Sequence, residues 1–268
     1  MAYCTGKIAA ITGAGSGIGR ALAQHLHRED CQLYLSDVDE QGLAATRDTL
    51  GGPALVDTRQ VDVADRAAVQ DWAADIGQRE GRLDIAINNA GVALSERVDA
   101  SDYDDLRWLM EINFWGVVHG TMAFLPLLSR APSGHLVNLS SIFGVVGIPT
   151  QSAYNAAKFA VRGYTEALRQ EMAGSNVHVC CVHPGGIRTD IARRSRGGDL
   201  SPDERAAAFE KIARTSPESA AAQIVRAIEK RKQRLLIGAD AHYLSLIARL
   251  FPVRYPALLP GLGRLGQP

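Results

Sequence analysis

The chain has 268 residues, 46% of them hydrophobic, and it carries 29 basic and 29 acidic side chains. This balance disfavours nucleic acid or an anionic membrane as a partner of the chain as a whole, so a small-molecule substrate is expected. The first residues lack the pattern of a secretory signal, and no run reaches the roughly 18 uncharged apolar residues of a membrane span, which favours a cytoplasmic protein.

Short runs rich in valine, isoleucine and leucine alternate with helical patterns along the chain. Runs such as IAAIT and VHVCCV lack polar and apolar alternation, which is typical of strands that helices cover on both faces. The chain is therefore predicted to form one α/β domain over residues 1–268, a doubly wound Rossmann sheet of about seven parallel strands with helices on both faces. The predicted strands cover residues 7–12, 32–37, 58–63, 83–89, 135–140, 177–183 and 234–237.

The four cysteines are Cys4, Cys31, Cys180 and Cys181. They show neither C-x-x-C pairing nor ligand spacing with histidines, and the last two adjoin within an apolar run. Reduced thiols are expected, and no metal site is predicted.

A glycine-rich stretch, TGAGSGIGRALA, joins the first strand to a helix predicted over residues 17–28. Gly13, Gly17 and Gly19 would allow a sharp turn there, and amides at the helix start would bind a pyrophosphate. A tight turn without a ligand is the alternative. The stretch is not a P-loop, because no Gly-Lys pair follows the turn, and Ser16 is not the serine of a G-x-S-x-G nucleophile motif.

Asp37 ends the second predicted strand, at about the distance from the glycine turn where an acidic side chain accepts hydrogen bonds from an adenosine ribose. Its carboxylate would repel a 2′-phosphate, and neither Ser16 nor Val38 supplies a compensating positive charge. NAD is therefore the favoured cofactor, with NADP as the alternative. A helix-capping role for Asp37 also stays open, because DVDEQGL begins a helix.

A serine, a tyrosine and a lysine follow the fifth strand. Ser141 comes at the strand end, and Tyr154 and Lys158 share one face of a helix predicted over residues 152–172. At ~4 Å and an effective dielectric of ~20, the lysine charge would favour the phenolate by about 4 kcal/mol and bring the tyrosine pKa toward neutrality. Tyr154 is thus predicted to be an acid/base, with Ser141 on the substrate oxygen. An inert exposed pair is the alternative for Tyr154 and Lys158 considered alone.

Together these motifs resemble the short-chain dehydrogenase/reductase family from about residue 6 to residue 189. TGAGSGIG resembles its cofactor turn, NNAG at residues 88–91 its fourth-strand motif, and PGGIRT at residues 184–189 its nicotinamide-side loop. The resemblance implies a fourth catalytic residue, Asn113, whose backbone carbonyl holds a water in a proton relay to Lys158. It also implies a homodimer or homotetramer.

The resemblance further assigns contacts to the two ligands. Asp62 would meet the adenine, Asn89 would lie along the cofactor, and Lys158 would bind the nicotinamide ribose. The implied cofactor contacts are Gly13, Ser16, Gly17, Ile18, Gly19, Asp37, Asp62, Val63, Asn89, Tyr154, Lys158, Pro184, Ile187 and Thr189. The implied substrate contacts are Ser141, Phe143 and Tyr154.

Residues 190–216 are interpreted as a substrate-loop region that contains a mobile stretch. Apolar residues near the site suggest a hydrophobic pocket, with ordinary core packing as the alternative. They are Phe143, Val145, Val146, Ile148 and Ile191. The arginines Arg193, Arg194 and Arg196 are read as a solvated loop in preference to a site that steers anions.

Residues 239–268 form a C-terminal tail in which Leu244, Ile247 and Phe251 recur at helical spacing before several prolines. The tail is expected to cover the pocket or to pack on a neighbouring subunit. An interfacial membrane helix is the less favoured alternative, because only His242, Arg249 and Arg254 would face anionic lipid.

The sequence therefore predicts an oxidoreductase that moves hydride between a nicotinamide cofactor and a secondary alcohol or ketone of hydrophobic character. An NADP-dependent carbonyl reductase is the nearest alternative. From another functional class, the alternative is a regulatory protein that senses NAD without turnover, and the presence of both Tyr154 and Lys158 disfavours it.

Overall fold

The computed structural model describes residues 2–51, 55–198 and 200–258. Over these residues the strands are β1 (Ile8–Thr12), β2 (Gln32–Asp37), β3 (Val56–Gln60), β4 (Ile85–Asn88), β5 (Gly134–Leu139), β6 (Val177–Pro184) and β7 (Arg234–Ile237). The helices are α1 (Gly17–Arg28), α2 (Glu40–Asp48), α3 (Arg66–Glu80), α4 (Tyr103–Met110), α5 (Gly116–Leu128), α6 (Ser152–Glu171), α7 (Pro202–Glu210), α8 (Pro217–Glu229), α9 (Ala239–Leu250) and α10 (Tyr255–Leu258). A π-helical turn, Glu111–Trp115, joins α4 to α5, and a 3-10 turn, Ile142–Gly144, follows β5.

The strands form one parallel sheet in the order β3-β2-β1-β4-β5-β6-β7. The chain winds outward from β1 in one direction and from β4 in the other, so the strand order reverses between these two strands. All carboxyl ends lie at one edge, and a crevice opens there at the reversal point, where sheets of this kind bind ligands. The predicted fold class is confirmed.

The third strand differs from its prediction, since it covers Val56–Gln60 and not residues 58–63. Val61 and Val63 are buried beyond the strand end, and a Cβ placed on Gly116 would lie 2.7 Å from Val63. An apolar loop that packs on a helix has the same composition as a strand, so the sequence pattern extended the strand too far.

Helices cover both faces of the sheet. Helices α1 and α8 pack together on one face around small side chains such as Ala21 and Ala220. On the other face α3 packs on α5, and the rings of Trp72 and Phe124 meet edge to face with centroids 5.3 Å apart. Strands buried on both sides explain why their sequences lack alternation.

The four cysteines are buried and unpaired. Burial raises the pKa of the Cys4, Cys180 and Cys181 thiols to about 12, so they stay protonated and unreactive near neutral pH. The described residues contain no cluster of metal-ligating side chains. None of the described helices is long and apolar enough to span a membrane.

Candidate active site

The glycine turn lies at the carboxyl end of β1. Its backbone passes so close to neighbouring backbone that side chains would not fit. Gly13 has a left-handed φ of 65°, and a Cβ there would lie 2.7 Å from the Ala90 Cα atom. A Cβ on Gly19 would overlap the carbonyl of Gly13. The turn therefore requires glycine at both positions.

Helix α1 begins at this turn and presents its first amides toward the crevice. Ser16 precedes the helix with extended backbone and makes no side-chain capping bond to any described residue. The first turn also carries no acidic side chain. Open first-turn amides next to a bare backbone fit the pyrophosphate of a dinucleotide.

Two polar residues hold the turn in shape. The Asn89 side-chain amide donates to the carbonyls of Thr12 at 2.9 Å and Gly13 at 3.0 Å. The Thr12 hydroxyl accepts from the amides of Asn89 at 3.0 Å and Ala90 at 3.1 Å. The Asn89 amide is thus engaged in positioning the glycine turn, and Thr12 is a residue that the motif comparison missed.

Asp37 stands beside the turn at the end of β2. One carboxylate oxygen accepts from the Gly15 amide at 2.8 Å, and the other accepts from the Asp39 amide at 3.0 Å. Asp39 caps α2 by accepting from the Gly42 amide at 3.0 Å. The capping role considered for Asp37 therefore belongs to Asp39.

Two arginines approach this end of the crevice, and both are engaged. Arg20 donates to the backbone carbonyls of Gly15 and Gly42 and, at 2.9 Å, to the hydroxyl of Thr46. Arg194 pairs with the Asp39 carboxylate at 3.3 Å. Both guanidinium groups therefore already have partners within the protein.

The serine, tyrosine and lysine converge at the carboxyl end of β5. Ser141 opens the 3-10 turn, and its hydroxyl accepts from the Phe143 amide at 3.1 Å. Tyr154 and Lys158 extend from one face of α6, with the lysine Nζ 5.6 Å from the centre of the tyrosine ring. The Nζ also donates to the Leu139 carbonyl at 3.1 Å. The helix predicted over residues 152–172 thus brings the pair to one side.

The electrostatics of this group differ from the sequence expectation. Burial raises the pKa of Tyr154, and the neighbouring Ser141 hydroxyl lowers it by a smaller amount. Burial also lowers the pKa of Lys158 to about 8. The cost of burying the phenolate outweighs any benefit from the lysine charge, so the expected near-neutral tyrosine is wrong for the protein by itself. Tyr154 holds its proton at neutral pH.

Asn113 lies in the π-helical turn and is fully buried. Its side-chain oxygen accepts from the Val92 amide and its nitrogen donates to the Val92 carbonyl, both at 2.8 Å. A Cβ on Gly91 would lie 3.1 Å from the Asn113 oxygen and 3.4 Å from Lys158 Nζ. Gly91 therefore leaves the space in which Asn113 and Lys158 approach each other.

The remaining residues predicted for the cofactor lie around the same crevice. Asp62 is exposed and accepts from the Ala64 amide at 2.9 Å, whereas the Val63 side chain is turned into the core. Ile187 is buried in the core, so only its backbone could reach a ligand. Thr189 follows, with its methyl group 3.1 Å from a Cβ placed on Gly17.

Two more predicted cofactor contacts, Ile18 and Pro184, lie at the start of a helix and the end of a strand. Ile18 is partly buried against the core beneath α1. Pro184 ends β6 and pairs in register with Ile237 of β7. Ile18 at the start of α1 and Pro184 at the end of β6 thus both lie beside the crevice.

The loop after Ser141 forms the other wall of the site. The ring of Phe143 meets the Tyr154 ring edge to face, with centroids 6.1 Å apart. Val146 and Ile148, by contrast, are buried against Ala241 and Leu244 of α9. Core packing accounts for these two residues, while Phe143 lies beside Tyr154.

Asn155 holds this loop in place. Its side-chain nitrogen donates to the carbonyls of Phe143 at 2.7 Å and Val146 at 2.9 Å, and its oxygen accepts from the Ile148 amide at 3.0 Å. Motif reading passed over Asn155, although it adjoins Tyr154, because nothing in its spacing indicates three buried backbone partners.

His183, at the end of β6, was also missed. It is fully buried, and one ring nitrogen lies 3.1 Å from the Ser141 carbonyl. Burial lowers the pKa of His183 to about 4, so the ring is neutral at physiological pH. A neutral ring can donate to the carbonyl and thereby fix the strand end that carries Ser141.

The arginines in the segment after Thr189 have carboxylate partners. Arg193 pairs with Asp203, Arg194 with Asp39, and Arg196 with Asp105 at 2.6 Å. The Arg196 guanidinium also stacks 3.8 Å from the Trp108 ring centre. The three arginine side chains are half exposed and each pairs with a carboxylate, which agrees with their interpretation as a solvated loop.

The C-terminal tail is described as far as residue 258, and the prediction for residues 259–268 lies outside the described residues. Leu244 and Ile247 pack on the loop after Ser141, whereas Phe251 is exposed. The Tyr255 hydroxyl accepts from the Gly147 amide at 2.8 Å. The tail covers a loop of its own chain at the edge of the site.

Comparison with known proteins agrees with this architecture. Residues 7–199 match the family model for short chain dehydrogenase. The oxidoreductase SadH of Mycobacterium tuberculosis is 46% identical over 266 residues, which cover 97% of this chain and 96% of that protein. The 3-ketodihydrosphingosine reductase of Bacteroides thetaiotaomicron is 36% identical over 195 residues, 73% of this chain and 69% of that protein.

A solved structure gives the same result for the fold. The short chain dehydrogenase/reductase from Burkholderia phymatum, in complex with NAD, superposes with a TM-score of 0.85 at 30% identity, over 93% of this chain and 95% of that one. The glycine turn, the strand reversal and the serine, tyrosine and lysine group all lie within the matched region. The chain belongs to the short-chain dehydrogenase family, and it is an oxidoreductase that uses a nicotinamide cofactor.

Proposed function

We propose that the protein transfers hydride between NAD and a secondary alcohol or ketone of hydrophobic character. The observation that carries the proposal is the convergence of Ser141, Tyr154 and Lys158 at the carboxyl end of β5, beside an independent dinucleotide cradle. Open sheets bind ligands at this edge, so both partners would meet there.

Tyr154 is the proposed acid in the direction of reduction. Its raised pKa keeps a proton available for the carbonyl oxygen. When bound, the cofactor would supply the hydride. Ser141 donates to the same oxygen and orients it, and oxidation of the alcohol reverses the proton path.

Lys158 and Asn113 support this proton transfer. The Lys158 pKa of about 8 allows the ammonium to exchange a proton near physiological pH. Its Nζ would bind the nicotinamide ribose, and the backbone carbonyl of Asn113 would hold a relay water near it. The close approach of both residues to Gly91 supports this arrangement.

The cofactor would lie across the strand reversal. The amides at Ser16, Gly17 and the following turn would bind the pyrophosphate, and Asp62 would border the adenine. Asp37 would accept from the adenosine ribose with the lone pairs that Gly15 and Asp39 leave open. The carboxylate would also repel a 2′-phosphate, which supports NAD over NADP.

The substrate would lie between Phe143 and the segment 190–216, with the tail covering one side. Phe143 contributes an apolar wall next to Tyr154. A relative named for the ketone 3-ketodihydrosphingosine supports a hydrophobic ketone as the substrate class. Family membership also supports a homodimer or homotetramer.

Replacement of Tyr154 by phenylalanine tests the catalytic proposal. We expect turnover of a ketone panel to fall about 10³-fold, because the proton donor is lost, while the Kd for NADH stays within about twofold. NADH absorbance at steady state and fluorescence titration give the two readouts. Retained turnover in the variant would overturn the assignment, and no turnover in the wild type on any carbonyl would favour a regulatory NAD sensor.

The Asp37→Asn variant tests the cofactor preference. It retains an oxygen for the Gly15 amide but removes the charge, so the NADPH-to-NADH affinity ratio should rise about tenfold. Calorimetric titration of both cofactors measures the ratio. A wild type that binds NADPH more tightly than NADH would contradict the NAD proposal and support the carbonyl reductase alternative.

A further inference from the structure

Helix α9 has two apolar faces, and only one of them is covered. Ala241 and Leu244 are buried against the loop after Ser141. On the opposite face Tyr243, Leu246 and Leu250 are 58%, 56% and 61% exposed. The side chains that the sequence suggested as a stripe lie mostly on the inner face, so the outer face is a separate surface.

The exposed apolar character continues beyond the helix. We call the whole set the C-terminal apolar surface, and it consists of Tyr243, Leu246, Leu250, Phe251, Val253 and Leu258. Single exposed apolar residues are ordinary, but a set concentrated within one short segment marks an interaction site.

The charges within this segment have one sign. The segment from residue 241 to residue 258 contains no aspartate or glutamate, and its charged residues are Arg249 and Arg254. The carboxylate of Asp240, just before it, accepts from the Gly186 amide at 2.8 Å. The apolar side chains are therefore accompanied by arginines alone.

Positive charge also extends to the beginning of α9. An open groove of about 540 Å³ lies there, and Arg188, Arg214 and His242 line it together with hydroxyl and amide groups. None of the described residues that line the groove is acidic. His242 and Leu246 are four residues apart, so the groove adjoins the apolar surface along one helix face.

We propose that the C-terminal apolar surface docks the protein on an anionic lipid membrane. A helix that lies in the interface buries an apolar face among acyl chains and places arginines at the anionic headgroups. The arrangement of Leu246, Leu250, Arg249 and Arg254 fits that description.

A second copy of the chain fits this surface less well. In a twofold symmetric dimer the partner presents the same surface, so this segment would supply no carboxylate to Arg249 or Arg254 from either copy. Anionic headgroups neutralise the same charges. The whole chain has equal numbers of basic and acidic residues, which disfavoured a membrane partner, and this total does not reveal the local excess of positive charge.

Sedimentation with vesicles tests the docking without any substrate or turnover, so its failure is distinct from failure of the proposed function. The full chain is mixed with vesicles of phosphatidylcholine alone, or of equal parts phosphatidylcholine and phosphatidylglycerol. We expect binding to the second and weak or no binding to the first, with binding to the anionic vesicles reduced by salt.

Two double variants and one single variant separate the contributions of the apolar and the charged side chains to vesicle binding. Leu246→Ser with Leu250→Ser should weaken binding about tenfold or more, because two apolar side chains leave the membrane. Arg249→Gln with Arg254→Gln should weaken it about 25-fold, at about fivefold for each charge. Leu55→Ser is the matched control, since Leu55 is 69% exposed at the opposite edge of the sheet, and it should bind as the wild type does.

Melting temperature and NADH binding of each variant establish that the fold is intact. No binding of the wild type to anionic vesicles overturns the proposal, as does equal loss in the Leu55→Ser control. If the leucine variants lower the mass of the protein in solution and vesicle binding is absent, the surface is an interface between copies and the proposal is wrong.

Discussion

The cofactor side and the substrate side of the crevice differ in the part of the chain that forms their surface. At the glycine turn the surface is backbone, held by Thr12, Asn89 and the carboxylate of Asp37. Beyond Ser141 the surface is side chain and loop, held by Asn155 and covered by α9. A surface made of backbone suits any dinucleotide, whereas a wall made of side chains changes with each substitution. A change of side chain therefore alters the substrate wall more readily than the cofactor surface.

The Gly19→Ala variant should impair cofactor binding without changing the substrate side. The added Cβ would overlap the Gly13 carbonyl, an overpacking cost of about 3 kcal/mol that weakens NADH binding roughly 100-fold. Fluorescence titration of NADH measures it. Gly163→Ala on α6 is the control, because a Cβ there meets no atom within 4 Å and should stabilise the protein by about 0.5–1 kcal/mol. Equal NADH affinity in the two variants would contradict the rigid-backbone description.

Asn155→Ala should break the substrate side alone. Three backbone groups of the loop after Ser141 lose their partners, so kcat/KM for a ketone should fall about tenfold, with the NADH Kd nearly unchanged. The control is Asn176→Ala, which removes a similar asparagine that donates to the carbonyls of Ser129 and Ala131 far from the site. If Asn176→Ala reduces kcat/KM as much, Asn155 has only a general structural role.

Acid should weaken the protein through two buried neutral histidines, His135 at the start of β5 and His183 near the end of β6. The pKa of His183 is lowered to about 4 and that of His135 to about 3, in each case mainly by burial. Their unfolded pKa is about 6.5, so the unfolded chain binds more protons as the pH falls below that value. Stability is therefore lost as the pH decreases from 6.5 toward 4.

The expected size of this effect is about 1 kcal/mol for each histidine between pH 7 and pH 5.5. Urea unfolding at both pH values measures it. The pH dependence of the free energy of unfolding should be smaller by that amount in the His183→Asn variant. The charges of Arg234, Arg162 and Glu166 act on the pKa of the His183 ring less strongly than burial does. An unchanged pH dependence in the variant would show that His183 is not a buried neutral group.

The sequence predicted those parts of the molecule that depend on local chain geometry. Helix α1 and the pairing of Tyr154 with Lys158 follow from spacing, because residues four apart share a helix face. Parallel strands follow from continuous apolar runs. The family resemblance then indicated Asn113 and the nicotinamide-side loop, and the family itself is confirmed.

The remaining features depend on contacts between distant segments. Burial raises the pKa of Tyr154, and no pattern around residue 154 reveals which distant segments the folded chain packs around it. Asn155 and His183 act through carbonyls that the fold alone brings near. The exposed face of α9 was hidden for a similar reason, since an apolar helix in a sequence does not tell which of its faces the protein covers.

The contact between Tyr255 and Gly147 has a consequence for the order of synthesis. Ser141, Tyr154 and Lys158 all leave the ribosome before α9 and Tyr255 are made. The loop that carries the substrate wall therefore lacks its cover for the interval in which roughly 100 further residues are added, about 5–20 s at typical elongation rates. A nascent chain can complete the cofactor turn early, but the substrate wall is covered only after α9 and Tyr255 have been made.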